Sequence, residues 1–353
     1  VLVVLATLSV GVGPTGTSAV AAITFKACVA TNTAGLNDKS FNAAAWKGVE
    51  EAAAADKSID ASHLASASRS IYESNIATLE EEGCGIIITV GPSMGPATAA
   101  SANTDPTQRF AIVDDKPVAK GSHELLALQY QVNQGAFLGG YYAAATSTSM
   151  IVATYGSSDV PPVTLYMDGF VAGVRYYDQL NQANVKVRGF TPPAVCTLSH
   201  CRGKGTFVGN ATNEAAAMRI AANEFAAGAD VVFPVTGTAG LGAIAAAQRA
   251  GAGRYVIWSD TDGCATKALD TAQCHVVEGA VYEGVTPSVE AVTLAAAHGT
   301  FEGGSYVGSL ENDGTGFAYD MAPSATLQSK IDSIAEGIAG GTISVDPNSY
   351  PGG

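Results

Sequence analysis

The chain has 353 residues, 47% of them hydrophobic and only 14% charged. That supports two domains with cores of their own and argues against disorder. Its formal net charge is -14, and no run of Lys or Arg gathers its few cations, so the basic field that a phosphate backbone requires is missing and nucleic acid is excluded as a partner.

The opening stretch "VLVVLATLSVGVGPTGTSAVAA" begins with an apolar run of about ten residues, short for a membrane span, and ends in small residues. It reads as part of a secretory signal peptide, residues 1–22, with cleavage near Ala21 and the fold beginning at Ile23. Cys28 follows Phe25, Lys26 and Ala27 inside an apparent strand, so a lipid anchor at a cleavage-point Cys is not supported. An exported protein, periplasmic or held at the outer cell surface, is expected.

Short apolar runs then alternate with Ala-rich helical stretches. The order is "ITFKACVAT", a helix from Lys39 to about Ala55, "GIIITV", a helix after Pro96, and "RFAIVD". This βαβαβ pattern predicts a parallel sheet with right-handed crossovers. Next, "LLALQYQVNQGAFLGGYYAAATS" puts Phe137, Leu138, Tyr141 and Tyr142 on a helix expected to pack between two lobes. The pattern repeats with "SMIVATYG", the helix "TLYMDGFVAGVRYYDQL", "VKVRGFT", the helix "TNEAAAMRIAANEFAAG", "ADVVFPV", a helix from Leu241 to Ala250, and "RYVIWSD". The remaining tail reads as crossings between the lobes, not as a third domain. The predicted class is α/β, with residues 23–147 plus about 261–300 in one lobe and 148–260 plus about 301–345 in the other.

Six cysteines, an even number, suit an oxidising compartment. The spacings Cys196-x4-Cys201 and Cys264-x9-Cys274 point to two local loops, leaving Cys28 with Cys84. Zinc is the rival reading, but no C-x2-C occurs and the His residues are scattered. Free thiols are the other alternative.

In open parallel sheets, ligands bind beyond the carboxyl ends of the strands. After the first strand come Asn32, Asn37, Asp38, Ser40, Phe41 and Asn42. Asn37 or Asp38 can cap the following helix. Phe41 either opens the buried stripe it shares with Ala45, Val49 and Ala53, or stands at the crevice rim as a stacking platform. Asp114 and Asp115 follow "RFAIV", and Ser259, Asp260, Thr261 and Asp262 follow "RYVIW". Such carboxylates are strong acceptors for ligand N–H groups, or simply solvated turns. The D-x-D-G at Asp260 lacks the EF-hand spacing. "FPVTGTAGLG", which contains Phe233, Gly237 and Thr238, matches no nucleotide-phosphate loop, and no cofactor is implied. Gly91-Pro92-Ser93-Met94-Gly95 matches G-x-S-x-G between a strand and a helix. It is either a hydrolase nucleophile turn built on Ser93 or a turn of small residues passing near a ligand.

Together these stretches resemble the BMP family of substrate-binding lipoproteins, the group that includes purine-nucleoside receptors of ABC uptake systems. The resemblance runs from about Ile23 to Val345 and rests on "GLNDKSFNAAAWKGVEEA", "GCGIIITVGPSMGPATAASANTDPTQRFAIVD", "GAFLGGYYAA", "MDGFVAGV" and "GADVVFPVTGTAGLGAI" followed by "WSDTD". It implies a type I periplasmic-binding fold whose two lobes close on a ligand around a multi-strand hinge. By the same resemblance a purine is held between Phe41 and Phe233, with Asp114 at the base edge and Asp260 at the ribose hydroxyls. Gly91, Ser93, Met94, Gly237 and Thr238 are expected alongside, and a sugar-contacting Lys of the family falls near Tyr282. The implied partners are a nucleoside and an ABC permease, and the implied state is a monomer. A Ser93 hydrolase, or an adhesin or sensor on the same fold, are the alternatives.

Overall fold

The computed structural model describes residues 24–120 and 123–351; the expected signal peptide lies outside the described residues. The chain runs through β1 (Phe25–Ala30), α1 (Phe41–Ala55), β2 (Ile59–Leu64), α2 (Tyr72–Glu81), β3 (Ile86–Val90), α3 (Gly95–Thr104), β4 (Phe110–Val113) and β5 (Leu125–Tyr130). There follow α4 (Val132–Thr146), β6 (Ile151–Gly156), α5 (Pro161–Asn181) and β7 (Lys186–Arg188). Short strands β8 (Phe190–Thr191), β9 (Cys196–Thr197), β10 (His200–Cys201) and β11 (Lys204–Gly205) form two small ribbons. The rest is α6 (Glu214–Ala226), β12 (Val231–Val235), α7 (Leu241–Ala250), β13 (Tyr255–Asp260), α8 (Thr271–Cys274), β14 (Val277–Glu283), α9 (Val285–Ala297), β15 (Gly304–Gly308), β16 (Thr315–Tyr319) and α10 (Ala325–Ala339).

β3 and β12, IIITV and VVFPV, are buried at every position, as strands covered by helices on both faces must be. Each lies inside its own six-stranded sheet. The first has the order β15-β5-β4-β3-β1-β2, all parallel; the second has β16-β14-β13-β12-β6-β7, parallel except for β16. The chain passes between the sheets after β5, after β14 and after β15, which makes the multi-strand hinge of a two-lobed type I periplasmic-binding architecture.

The sheets divide the chain differently from the sequence-based boundaries. Strand β14, expected with the first lobe, pairs with β13 in the second sheet, while β15, expected in the second lobe, pairs with β5 in the first. Helix α4, also expected with the first lobe, lies against α5. A Cβ on Gly140 would meet the Phe170 carbonyl oxygen at 2.1 Å, and one on Gly173 would meet that of Phe137 at 2.0 Å. The glycines of "GAFLGGYY" and "MDGFVAGV" therefore let two backbones touch, and this contact anchors α4 to the second lobe.

One core cluster runs from α1 and the inner face of the first sheet, through α4 and α5, to the second sheet; two others fill the outer faces. Disulfides join Cys28 to Cys84 across neighbouring elements and close the local loops Cys196–Cys201 and Cys264–Cys274.

Candidate ligand cleft

The loop after β1 is held by one buried carboxylate. Asp38 accepts from the backbone N–H groups of Ser40, Asn42 and Ala43 at 3.0, 2.9 and 3.0 Å, and from Asn42 Nδ2 at 2.7 Å. These satisfy amides at the start of α1 that would otherwise lack acceptors. Asn42 Nδ2 also donates to Asn32 Oδ1 at 3.0 Å, and Asn32 Nδ2 donates to the Val90 carbonyl at 3.1 Å. Asn32, Asp38 and Asn42 thus fix the loop; the carboxylate of Asp38 is already committed to protein donors.

The same turn reaches across to the second lobe. Ser40 Oγ donates to Asp260 Oδ2 at 2.6 Å, and Thr238 Oγ1 donates to the Asp38 carbonyl at 2.8 Å. Lys39 Nζ donates to the Ala268 carbonyl at 2.6 Å, and Thr261 Oγ1 to that of Lys39 at 3.3 Å. Residues 38–40 therefore clasp the loops beyond β12 and β13, holding the lobes together over the cleft.

Between the lobes lies a cavity of about 480 Å³, well within the size range of small-molecule sites. Asn32, Thr33, Phe41, Gly91, Ser93 and Asp114 line it from the first lobe, and Ser157, Tyr166, Asn210, Gly237, Thr238 and Asp260 from the second. Asp114 and Asp260 stand at equivalent strand exits with φ of 59° and 76°, a left-handed turn that Asp tolerates better than most residues. Both are buried. Burial, then the charge of Asp260, pushes the Asp114 carboxyl above the ordinary carboxylate range. Burial also raises Asp260 to about 6, and the charge of Asp38 adds to it, against the opposing bond from Ser40. Among the described residues Asp114 Oδ2 and the Tyr166 hydroxyl have no hydrogen-bond partner, so the floor of the cleft offers polar atoms left for a ligand.

The cavity brings together Asn32, Asp38, Ser40, Phe41, Gly91, Ser93, Asp114, Gly237, Thr238 and Asp260 of the expected residues. Phe41 is half-buried there, packed on the core along one edge. Others depart from expectation. Phe233 is fully buried against Phe170 and Tyr166, with ring centroids 5.2 and 6.0 Å away; its strand is covered on both faces, and the aromatic that lines the second lobe's wall is Tyr166. Met94 is a core residue and Asn42 a structural one, while Asn37 is exposed outside the cavity lining. Tyr282 turns its ring to Gly316, where an added Cβ would meet its hydroxyl at 2.3 Å; its neighbour Glu283 is the one beside the acid cluster. Ser93 Oγ bonds only to the Tyr72 hydroxyl at 3.4 Å among the described residues, with no imidazole to activate it. Tyr166 carries no sequence signal because it lies within a helix, α5, and Glu283 stands one residue from the expected Tyr282 at the end of β14.

A model of the Bmp family, described as ABC transporter substrate-binding protein PnrA-like, matches residues 25–191 and 204–346. The chain is similar to the ABC transporter nucleoside-binding protein BmpA of Lactococcus lactis subsp. cremoris, 25% identical over 90% of each chain. It is also similar to basic membrane protein A of Borreliella burgdorferi, 25% identical over 89% of this chain and 85% of that one. Among solved structures, an ABC transporter solute-binding protein from Aeropyrum pernix K1 superposes with a TM-score of 0.74 at 18% identity, covering 91% of this chain and 92% of its own. The chain accordingly belongs to the Bmp family of PnrA-like ABC transporter substrate-binding proteins.

Proposed function

We propose that this protein captures a purine nucleoside in the interlobe cleft, outside the cytoplasm, and delivers it to an ABC permease. The observation that carries the reading is the make-up of the cavity: the Phe41 ring on one wall and the carboxylates of Asp114 and Asp260 at two strand ends, in a space of about 480 Å³. An aromatic face suits a base of any kind, at about 1–3 kcal/mol per stacked base in nucleic-acid binders. Carboxylates suit N–H donors and sugar hydroxyls, so bases that present N–H, such as those of guanosine and inosine, are preferred. In this reading Asp114 meets the base edge, Asp260 the ribose and Tyr166 takes the place expected for Phe233. The nucleoside-binding relative from Lactococcus lactis supports the ligand class. Among the described residues no helix is long and apolar enough to cross a membrane.

Bonds from residues 38–40 to the opposite lobe link closure to occupancy, because a ligand touching both walls gains contacts only when the lobes meet. A thermal-shift screen against purine and pyrimidine nucleosides, free bases, ribose, other sugars and amino acids tests this. A ligand at one hundred times its dissociation constant adds about 2.7 kcal/mol. Stabilisation by guanosine or inosine and not by ribose supports the reading; stabilisation by a sugar or amino acid alone rejects it.

A further inference from the structure

Behind Asp114, at the hinge side of the cleft, sits a carboxyl that the ligand reading does not use. Glu283 ends β14, is 6% exposed, and neither of its oxygens has a hydrogen-bond partner among the described residues. It lies against Asp114, beyond the end of β4, whose Oδ2 is equally without a donor. Asp260 at the end of β13 and Tyr166 on α5 face it from the second lobe, and Tyr130, bonded to Ser288, from the end of β5. Asp115 and Asp38 add further negative charge around Asp114 and Asp260. No ion pair among the described residues reaches Glu283, Asp114 or Asp260.

Two ionised carboxylates cannot remain in contact in a buried site without a cation, whereas one proton between them turns repulsion into a strong, charge-assisted hydrogen bond. We propose that Glu283 is a positioning residue: it carries the proton of a carboxyl–carboxyl hydrogen bond to Asp114, so that Asp114 remains an ionised acceptor turned towards the ligand. Burial first, and then the charges of Asp114 and Asp260, push the Glu283 carboxyl well above the ordinary range. The consequence for selectivity rests on the nucleoside reading. An acceptor-only Asp114 pairs with the N–H edge of inosine or guanosine and leaves the acceptor nitrogen of adenosine opposed to a carboxylate.

The test begins without ligand. Melting temperatures of the wild type and Glu283→Gln are compared from pH 5 to pH 8. The unfolded wild type loses the Glu283 proton as pH rises while the folded state keeps it, so wild-type stability falls relative to the variant, whose amide does not titrate. The difference between the two should widen in favour of Glu283→Gln by on the order of 5 °C across that range. A difference that stays constant with pH overturns the assignment. Inosine and adenosine are then compared on the wild type, Glu283→Gln and Glu283→Leu. Retained preference for inosine in Glu283→Gln and its loss in Glu283→Leu is expected, and an equal preference in all three refutes the positioning role. If no nucleoside binds the wild type, the ligand reading fails by itself, and the pH comparison still decides whether Glu283 holds the proton.

Discussion

Replacing Phe233 with alanine separates the core from the binding wall. The ring is fully buried, stacked obliquely on Phe170 at 5.2 Å and edge-on to Tyr166 at 6.0 Å. Truncation loses the transfer free energy of the ring and two aromatic contacts worth about 0.5–1.5 kcal/mol each, and leaves a cavity between β12 and α5 that close-packed neighbours fill only in part. The total for such a change is about 3–5 kcal/mol, a large fraction of the roughly 5–15 kcal/mol that holds a typical protein folded. Urea unfolding followed by circular dichroism should therefore show a much lower midpoint for Phe233→Ala. Phe41→Ala, whose ring is only half-buried, should unfold near the wild-type midpoint but bind nucleoside about 5- to 150-fold more weakly, the equivalent of about 1–3 kcal/mol. If Phe233→Ala kept the wild-type midpoint and lost affinity as Phe41→Ala does, the ring would belong to the ligand site and the assignment of Tyr166 to that wall would be wrong.

Further outcomes follow from the loop and the cysteines. Asp38→Ala removes the acceptor of four hydrogen bonds and should cost about 2–4 kcal/mol in the same unfolding assay, with Asp38→Asn recovering part of it. Replacing Cys28 and Cys84 together with serine opens a crosslink between residues 56 apart; the chain-entropy relation gives a loss of about 4 kcal/mol, read as a fall in the urea midpoint. The carboxyl of Asp260, raised from 3.8 to about 6, binds a proton in the folded state that the unfolded chain has already lost. Its contribution to stability is thus fully present below about pH 4 and is lost as pH rises through about 6. Melting curves should show a smaller fall between pH 4.5 and 7.5 for Asp260→Asn than for the wild type.

Much of this architecture was legible in the sequence because its signals are local. Runs such as IIITV and VVFPV are short, β-branched and bounded by Gly or loop residues, which favours buried strands over helices, and the alternation with Ala-rich helices points to parallel sheets and crossovers. The loops after β1, β4 and β13 were found because strand ends are where such sheets present polar groups. The misreadings occur where local pattern carries no facing information. In a strand buried on both faces no alternation reveals which way Phe233 points. At Tyr282 and Glu283 a displacement of one residue exchanges the two faces of β14, so the ring sits against Gly316 and the carboxyl beside Asp114. Lobe boundaries were misplaced at β14 and β15 because pairing partners lie far away in the chain. The clasp between Ser40 and Asp260 spans 220 residues, and nothing near either residue announces it.

The measurement that bears most directly on the central claim is isothermal titration calorimetry of inosine, adenosine and ribose into the wild-type protein and Phe41→Ala. Inosine should bind the wild type, adenosine should bind more weakly, ribose should give no heat, and Phe41→Ala should lose most of the inosine affinity while remaining folded. Inosine binding that is unchanged in Phe41→Ala, or heat from ribose alone, would contradict that claim.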